Sequence, residues 1–275
     1  MWLLRANQPT SAACALVRSP TALAAQACRD ARGESHADGW GIAHYRDGQV
    51  IVERGVTAAF NDQNFRHAAE RVQAQTVLAH VRQASIGTVS LANTHPFVYG
   101  RWLFAHNGTI TAFEQIRKEL ERETLPRFVK LKAGTTDSEC AFYWFLSRMK
   151  RSGIDPDAAV HDVSALVQLT GEAVRRLAAQ CEGVASDRPF GLNFFLTDGT
   201  VLIASRWGRT LWWLSHASSS MCEICGRPHA ETPATQAYCG VEVASEPTSD
   251  DAWLEAPDQS IVAIDHQLQL RVASL

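Results

Sequence analysis

The sequence has no long apolar run and no large excess of charge of either sign. A membrane-spanning helix needs about 20 consecutive apolar residues, and no segment of the 275-residue chain approaches that length. Its 26 lysine and arginine residues nearly balance its 29 aspartate and glutamate residues, so the formal net charge is only −3. Binding to nucleic acid or to an anionic membrane through bulk charge requires a clear positive excess. These two absences argue against nucleic-acid and membrane partners.

Glycine-rich phosphate-binding loops and a disulfide framework are also missing. Neither G-x-G-x-x-G nor a Walker loop occurs, so no nucleotide cofactor is expected. The seven cysteines are an odd number, and three of them lie between residues 222 and 239. A reducing cytoplasm fits this pattern better than a small secreted domain held by disulfides. With 46% hydrophobic and 20% charged residues, the composition is that of an ordinary globular protein and excludes general disorder.

Strand-like segments come first along the chain, helical segments lie in the middle, and strand-like segments return at the end. Asp47-Gly48 between two β-branched runs predicts a hairpin. Thr136 to Glu139 forms a capping box that predicts a helix start, and the longest helical periodicity covers residues 157–180. This order predicts an α+β fold with largely antiparallel sheets. Residues 217–240, which are polar and rich in serine, proline and cysteine, are interpreted as an insertion between two strands.

Five short motifs stand out: residues 36–41 (HADGWG), 80–87 (HVRQASIG), 93–97 (NTHPF), 106–108 (HNG) and 136–139 (TDSE). Arg82 could bind a carboxylate through two parallel hydrogen bonds. Asp137 at a helix start could accept from an ammonium group. The Asn107 side chain and the Gly108 N–H could point two donors at one oxygen, which is an oxyanion hole. An α-amino acid with a side-chain carbonyl would satisfy all three groups.

Each of these residues also has a purely structural explanation. Asp137 could only cap its helix, Asn107-Gly108 could be a simple turn, and Arg82 could pair with a structural acid. The motif histidines lie in apolar segments and are interpreted as core residues; they are His80, His95 and His106. Only the joint occurrence of the motifs, in this order, favours a substrate site.

In this order the motifs resemble those of the class II glutamine amidotransferases, and HADGWG resembles their compact branch with a free-standing glutaminase domain. The resemblance runs over about residues 2–270, so one domain is expected over 1–275, with the insertion at 217–240. It implies an N-terminal-nucleophile hydrolase fold, a four-layer sandwich with two antiparallel sheets between helix layers. It also implies that an N-terminal cysteine attacks the γ-carbonyl of glutamine or of a γ-glutamyl compound. The free α-amine of that cysteine would be the base, and a thioester would then be hydrolysed.

The resemblance also implies roles for individual residues. Arg82 would bind the α-carboxylate of the substrate and Asp137 its α-ammonium group. Asn107-Gly108 would form the oxyanion hole, and Ser85 and Thr94 would lie near the substrate. No catalytic cofactor is implied. The chain has no room for a synthase domain, so it would be a γ-glutamyl hydrolase or a glutaminase subunit that serves a separate ammonia-accepting partner protein.

The nucleophile is where the chain departs from the family. The family's cysteine follows the initiator methionine, whereas Trp2 stands here and the first cysteine is Cys14, which has no free amine. A start assigned a few codons late, a cut or engineered chain, and a pseudoenzyme would each explain this. The retained motifs favour a misassigned or truncated start. The chain as written is therefore expected to bind γ-glutamyl ligands and to hydrolyse them negligibly. The alternative function is an inactive γ-glutamyl-binding or regulatory module.

The insertion contains a spacing that suits a metal ion. The four residues of the pattern C-x2-C-x3-H-x9-C are Cys222, Cys225, His229 and Cys239, and Gly226 follows the second cysteine as in a zinc knuckle. Because protein would fill all four positions, such a zinc ion would be structural. A zinc-dependent hydrolase is a weaker alternative, since no position stays open for water. The remaining alternative is a flexible surface loop with unpaired thiols.

Overall fold

The computed structural model describes residues 1–111, 113–160, 162–184, 189–230 and 237–275. The chain forms two compact units. The first unit consists of Met1–Ala84, Val89–Pro96 and Leu211–Glu255, and the second unit of Ser85–Thr88, Phe97–Thr210 and Ala256–Leu275. Each unit has its own antiparallel sheet and its own buried core.

The strands of the described residues, numbered in chain order, are β1 (Trp2–Ser11), β2 (Trp40–Arg46), β3 (Gln49–Gly55), β4 (Gln73–Val81), β5 (Phe97–Tyr99), β6 (Trp102–Asn107), β7 (Asn193–Thr197), β8 (Leu202–Arg206), β9 (Trp212–His216), β10 (Gly240–Ala244), β11 (Leu254–Glu255), β12 (Ser260–Ile264) and β13 (Leu270–Ser274). The α-helices of the same residues are α1 (Leu23–Cys28), α2 (Gln63–Arg71), α3 (Phe113–Glu123), α4 (Pro126–Val129), α5 (Asp137–Arg151) and α6 (Val163–Glu182). A short π-helix, Cys14–Arg18, follows β1.

β1 lies in the middle of the sheet of the first unit, whose strand order is β11-β9-β10-β1-β4-β2-β3. Trp2 pairs with Ala244 of β10 on one side and with Ala79 of β4 on the other, both antiparallel. Trp2, Leu3 and Leu4 are all buried. Burial on both faces explains why β1 begins with a continuous apolar run instead of an alternating pattern.

The predicted hairpin joins β2 to β3, and Arg46 pairs with Gln49 across its turn. Asp47 has a φ of 52° and Gly48 a φ of 75°. Positive φ at both central residues is the geometry of a type I′ turn, which Asp-Gly favours. The local sequence therefore determines this turn.

The sheet of the second unit has the order β13-β12-β8-β7-β6-β5, and all its neighbouring pairs are antiparallel. Helices α5 and α6 pack against it. Phe104 of β6 stacks on Phe142 of α5 with ring centroids 5.1 Å apart. The predicted α+β class with antiparallel sheets is therefore confirmed. Among the described residues, no helix combines the length and the apolar character that crossing a membrane requires.

Helix α5 begins as predicted, with a different use of the capping glutamate. Thr136 is the N-cap, and its hydroxyl accepts from the Glu139 N–H at 3.1 Å. The Glu139 carboxylate instead accepts from the backbone N–H groups of Ala133 and Gly134, at 2.9 and 2.8 Å. Glu139 therefore stabilises the loop before the helix, and only half of the predicted capping box forms.

Helix α6 begins at Val163, six residues later than the periodicity suggested. Asp162 caps it by accepting from the N–H groups of the second and third residues after it. The carboxylate of Asp157 is used elsewhere, because it accepts from Tyr99 Oη at 2.5 Å and from Arg127 at 3.0 Å. These contacts with distant residues hold Asp157 outside the helix.

Candidate functional site

Arg82 follows the end of β4, and its backbone is held from both sides by the HADGWG motif. The Arg82 N–H donates to the Gly39 carbonyl at 2.8 Å, and the Asp38 N–H donates to the Arg82 carbonyl at 2.9 Å. The Asp38 carboxylate accepts from the Ala84 N–H at 2.8 Å. Arg82 is only 3% exposed. The motif thus positions Arg82 and the turn after it.

Thr94 packs beside the same motif. Its hydroxyl donates to the Ser90 carbonyl at 2.8 Å, and Thr94 is fully buried. Gly39 has a φ of +136°, and a Cβ there would lie 3.2 Å from Thr94 Oγ1 and 2.8 Å from the Gly55 carbonyl oxygen. A Cβ on Gly41 would lie 2.1 Å from the His95 carbonyl oxygen. The two glycines of HADGWG are therefore needed so that the NTHPF segment can pack directly on β2.

The predicted oxyanion residues lie at the end of β6 in the second unit. Asn107 is the last residue of β6 and pairs with Asn193 of β7. Gly108 has a φ of +146°, and a Cβ there would lie 2.1 Å from the Gly191 carbonyl oxygen. Only glycine fits this position, because any side chain would overlap the backbone of Gly191. At the HNG motif, the backbone of Gly108 therefore packs directly against the backbone of Gly191.

A buried hydrogen-bond network connects the HNG and TDSE motifs. His106 Nε2 lies 2.8 Å from the Gly191 carbonyl oxygen, and Nδ1 lies 2.9 Å from Ser138 Oγ. Burial lowers the pKa of His106, and the charge of Asp137 and the bond to Gly191 offset this only in part. The neutral ring therefore donates from Nε2 and accepts the Ser138 hydroxyl at Nδ1. As interpreted from the sequence, His106 is a satisfied core residue, and it orients both motifs.

Asp137 is a buried carboxylate with backbone partners on both oxygens. Oδ2 accepts from the Ile110 N–H at 2.8 Å, and Oδ1 accepts from the Ser138 N–H at 2.8 Å. The cap of α5 is Thr136, so the alternative that Asp137 serves as the helix cap is not supported. An ionised carboxylate offers about four acceptor positions. Asp137 therefore keeps capacity for a further donor.

Ser85 completes the group in the second unit. Its hydroxyl accepts from Thr109 Oγ1 at 3.0 Å. The loop 107–110 therefore contacts Ser85 through Thr109 and Asp137 through Ile110. The structure thus brings Ser85, Asn107-Gly108 and Asp137 together around one loop of the second unit, and brings Arg82 and Thr94 together around Asp38-Gly39 of the first. The substrate roles of these six residues remain predictions.

The first residues of β1 are buried and carry no nucleophilic side chain. The Met1 carbonyl accepts from the Ser245 N–H at 2.9 Å, and Trp2 Nε1 donates to Glu242 Oε2 at 2.7 Å. Burial lowers the pKa of the N-terminal amine to about 5, although the charge of Glu246 raises it in part. The amine is therefore mostly uncharged at neutral pH, which is the state that a general base needs.

Three of the four predicted metal ligands lie together, and the fourth position is taken by a different cysteine. Ligand atoms of Cys14, Cys222, Cys225 and His229 all lie within 4.8 Å of one another. Cys239 is outside this group, which corrects the predicted set. The backbone of Cys239 is bonded to Asn7 of β1 through N–H···Oδ1 and N–H···O=C contacts, which hold it at the start of β10. Metal binding itself remains a prediction.

Three positions that sequence reasoning missed support these groups. Asp38 acts through its carboxylate and its backbone N–H, and Gly191 acts through its backbone. Cys14 lies more than 200 residues from the rest of its group in sequence. For Gly191, the residue type was a signal, because a glycine permits another backbone segment to pack closely against it. No local spacing could have identified Cys14.

A family model described as glutamine amidotransferases class-II matches residues 13–263. The chain is 30% identical over 261 residues to a probable glutamine amidotransferase, DUG3, of Saccharomyces cerevisiae; the match covers 86% of this chain and 72% of the relative. It is 28% identical over 269 residues to a gamma-glutamyl-hercynylcysteine sulfoxide hydrolase of Mycolicibacterium smegmatis, which covers 96% of this chain and 93% of that protein.

Solved structures show the same fold. The crystal structure of a predicted glutamine amidotransferase from Pseudomonas aeruginosa is similar with a TM-score of 0.63 and 23% identity, and the match covers 98% of each chain. Likeness at this identity shows the fold alone. The fold expected from the motifs, the N-terminal-nucleophile hydrolase type, is confirmed at that level.

Proposed function

Because the chain belongs to the class II glutamine amidotransferases, we propose that it hydrolyses the γ-amide of glutamine or of a γ-glutamyl compound. The nucleophile of this proposal is a cysteine at the N-terminus. The relative from M. smegmatis, named as a γ-glutamyl hydrolase and aligned over 96% of this chain, supports a γ-glutamyl compound as the substrate class. Water takes the γ-glutamyl acyl group, and the released ammonia or amine leaves to the solvent or to a separate ammonia-accepting partner protein. The proposed location is the cytoplasm.

The observation that carries the proposal is the network around the loop 107–110. It holds the Gly108 backbone against Gly191 and the Asp137 carboxylate against the Ile110 N–H. Preorganised donors stabilise a developing oxyanion because they need no rearrangement during the reaction. Asn107 and Gly108 are proposed to donate to that oxygen, and Asp137 to accept from the substrate α-ammonium group.

In the first unit, the proposed role of Arg82 is to bind the substrate α-carboxylate. Its backbone is held by hydrogen bonds to Asp38 and Gly39, so the arginine side chain extends from a fixed Cα. A planar guanidinium matches a carboxylate with two parallel hydrogen bonds. Thr94, buried beside Gly39, and Ser85, bonded to Thr109, are proposed to lie near the substrate.

The proposed reaction balances with a cysteine at position 1. The free amine takes the thiol proton, and the thiolate sulfur attacks the γ-carbonyl carbon to form a tetrahedral oxyanion. The amide nitrogen leaves with that proton, which produces ammonia or an amine and a thioester. Water then adds to the thioester and releases the γ-carboxylate and the thiol.

A second candidate function is binding of γ-glutamyl ligands without hydrolysis. One observation favours it: Arg82 and Asp137, the residues proposed to bind the ligand, are held by backbone hydrogen bonds that need no nucleophile. Zinc-dependent hydrolysis is not favoured, because three cysteines and one histidine would fill all four positions of a tetrahedral zinc ion.

The decisive experiment places a cysteine at position 1. Met1→Cys is made with one additional initiator methionine that an aminopeptidase removes, and Met1→Ala is processed in the same way as the control. Met1→Cys should release glutamate from glutamine or from γ-glutamyl amides at least about a hundredfold faster than the control. A thiol alkylator should abolish this activity. Mass spectrometry checks that both N-termini are correctly processed.

Binding is measured separately by calorimetry with the chain as written. Arg82→Ala should weaken glutamine binding by well over tenfold, because removing one partner of a desolvated charge pair costs about 2–5 kcal/mol. Arg46→Ala, at an exposed position of the same unit, is the matched control. If Met1→Cys binds glutamine but releases no glutamate, hydrolysis is wrong and the binding function stands. Robust activity of the chain as written that survives Cys14→Ser would show that the nucleophile is wrong.

A further inference from the structure

The insertion carries a turn with the backbone of a metal knuckle. We call residues 221–228 the cysteine turn. The Gly226 N–H donates to the Cys222 carbonyl at 2.9 Å, and the Cys222 N–H donates to the Arg227 carbonyl at 3.1 Å. Met221 and Pro228 form an isolated antiparallel bridge at its base. Gly226 has a φ of +65°, which is the left-handed conformation that glycine adopts readily. The turn therefore presents Cys222 and Cys225 on one side of a tight loop.

Two further side chains approach these thiols. Cys14, which is 4% exposed at the start of the π-helix, has its Sγ 3.9 Å from Cys222 Sγ. His229 follows the turn directly, and its carbonyl accepts from the Ser11 N–H at 2.8 Å. This bond holds His229 at the end of β1, close to Cys14. Ligand atoms of all four residues lie within 4.8 Å of one another.

The distances suit a tetrahedral zinc ion. With zinc–sulfur bonds of about 2.3 Å, two thiolates of one tetrahedron lie about 3.8 Å apart. The separation of Cys14 Sγ and Cys222 Sγ is close to that value. None of the three cysteines, Cys14, Cys222 and Cys225, forms a disulfide. Three thiolates and one imidazole are a soft donor set that selects zinc over calcium or magnesium.

A second observation points to a ligand at this place. His229 Nε2 is buried and has no hydrogen-bond partner within the described part of the chain. A buried imidazole nitrogen without a partner costs free energy, unless a metal or another group binds it. The turn itself buries little apolar surface, since its larger apolar side chains, Met221 and Ile224, are 65% and 42% exposed. Hydrophobic packing therefore does not explain its order.

We propose that Cys14, Cys222, Cys225 and His229 bind one structural zinc ion that joins the cysteine turn to the segment after β1. The proposal differs from the sequence-based set by using Cys14 in place of Cys239, and it is independent of the proposed hydrolysis. The three thiols and the histidine would bind deprotonated, so zinc binding releases protons to the solvent. With four protein ligands the ion has no position for substrate or water.

The first test is metal content in protein purified without chelators from zinc-supplemented medium. The chain as written should contain about one zinc ion per molecule. Cys14→Ser and Cys222→Ser should each lose at least about nine-tenths of it, since ligand removal weakens such sites severely. Cys239→Ser and Cys28→Ser are the matched controls and should keep it. If Cys239→Ser loses zinc and Cys14→Ser keeps it, the assignment is overturned.

The second test does not depend on the folding of any variant. Cobalt added to the chelator-treated chain should produce the visible bands of tetrahedral cobalt and a thiolate charge-transfer band, and zinc should remove both. Chelation should also speed hydrogen exchange at the N–H groups of Cys222 and Gly226, while Leu3 and Leu4 of β1 stay protected. No uptake of zinc or cobalt, or unchanged exchange in the turn on chelation, would overturn the proposal.

Discussion

The loop 107–110 and the cysteine turn are both short turns that depend on a glycine with positive φ, and they are stabilised in opposite ways. Gly108 lies against the backbone of Gly191, and its neighbours His106 and Ile110 are hydrogen-bonded to the buried residues Ser138 and Asp137. No atom lies within 4 Å of a Cβ added to Gly226, and the large apolar side chains near it, Met221 and Ile224, are exposed. The first turn is held by the core of its unit. The second has few protein contacts, which is why a bound ion is the better explanation of its order.

The largest expected effect on stability comes from a substitution that disrupts the loop 107–110. Gly108→Ala should lower the free energy of unfolding by more than about 3 kcal/mol, because the methyl group would meet the Gly191 backbone and the residue would keep a strained φ. Urea denaturation followed by circular dichroism measures this. Gly100→Ala is the control: it has a φ of +54° in the same unit and no atom within 4 Å of an added Cβ. Equal costs for the two variants would contradict the role of the close contact.

A smaller effect is expected in the cysteine turn. Gly226→Ala should cost only about 1 kcal/mol, because backbone strain is the sole penalty where nothing lies within 4 Å of an added Cβ. Gly48→Ala, in the hairpin of the same unit, has the same open surroundings and should cost about as much. The same denaturation experiment applies. A cost for Gly226→Ala that approaches that of Gly108→Ala would mean that protein contacts hold both turns alike.

The smallest expected effect is a pH dependence, which compares the buried His106 of the second unit with the half-buried His216 of the first. Burial lowers the pKa of His106 below its usual value. Burial also acts to lower the pKa of His216, but its hydrogen bond to Glu242, 2.9 Å away, and the charge of Glu242 outweigh this and raise it. The unfolded value for both is about 6.5. The stability that His106 contributes is therefore present above pH ~6.5 and is lost as pH falls. The stability that His216 contributes is present below pH ~6.5, and it is lost as the pH rises through the raised pKa of His216 in the folded state.

Two variants measure these opposite slopes. The stability difference between the unmodified chain and His106→Gln should shrink from about pH 8 to pH 5, and the difference for His216→Gln should shrink from about pH 5.5 to pH 8.5. Urea denaturation at each pH provides both differences. Slopes of the same sign for the two histidines would show that the hydrogen bond to Glu242 does not stabilise the charged form of His216.

Local chemistry allowed part of the fold and of the candidate site to be predicted. Asp47-Gly48 permits a type I′ turn without any distant contact, and Thr136 caps α5 with its own hydroxyl. The HNG glycine was recognised because its motif recurs in a known order. These features depend on a few adjacent residues, so a sequence displays them directly.

Other features depended on residues far apart in the chain. Asp157 makes contacts with Tyr99 and Arg127, and α6 begins only at Val163, after its cap Asp162. Cys239 is held by Asn7, which leaves the fourth position of the group to Cys14. Spacing rules compare neighbours in sequence, and none of them could rank these distant partners.

The sequence by itself determined the family, the α+β class and the set of motif residues, because each rests on residue type and order. Only the tertiary structure decided how those residues are held. It showed that Asp38 and Gly39 hydrogen-bond the backbone of Arg82, that Thr94 packs beside Gly39, and that the Gly108 backbone lies against that of Gly191. It also decided which cysteine joins Cys222. The physical reason is that hydrogen bonds and close backbone contacts act over a few ångströms of space, and the folded chain alone brings such distant residues within that range.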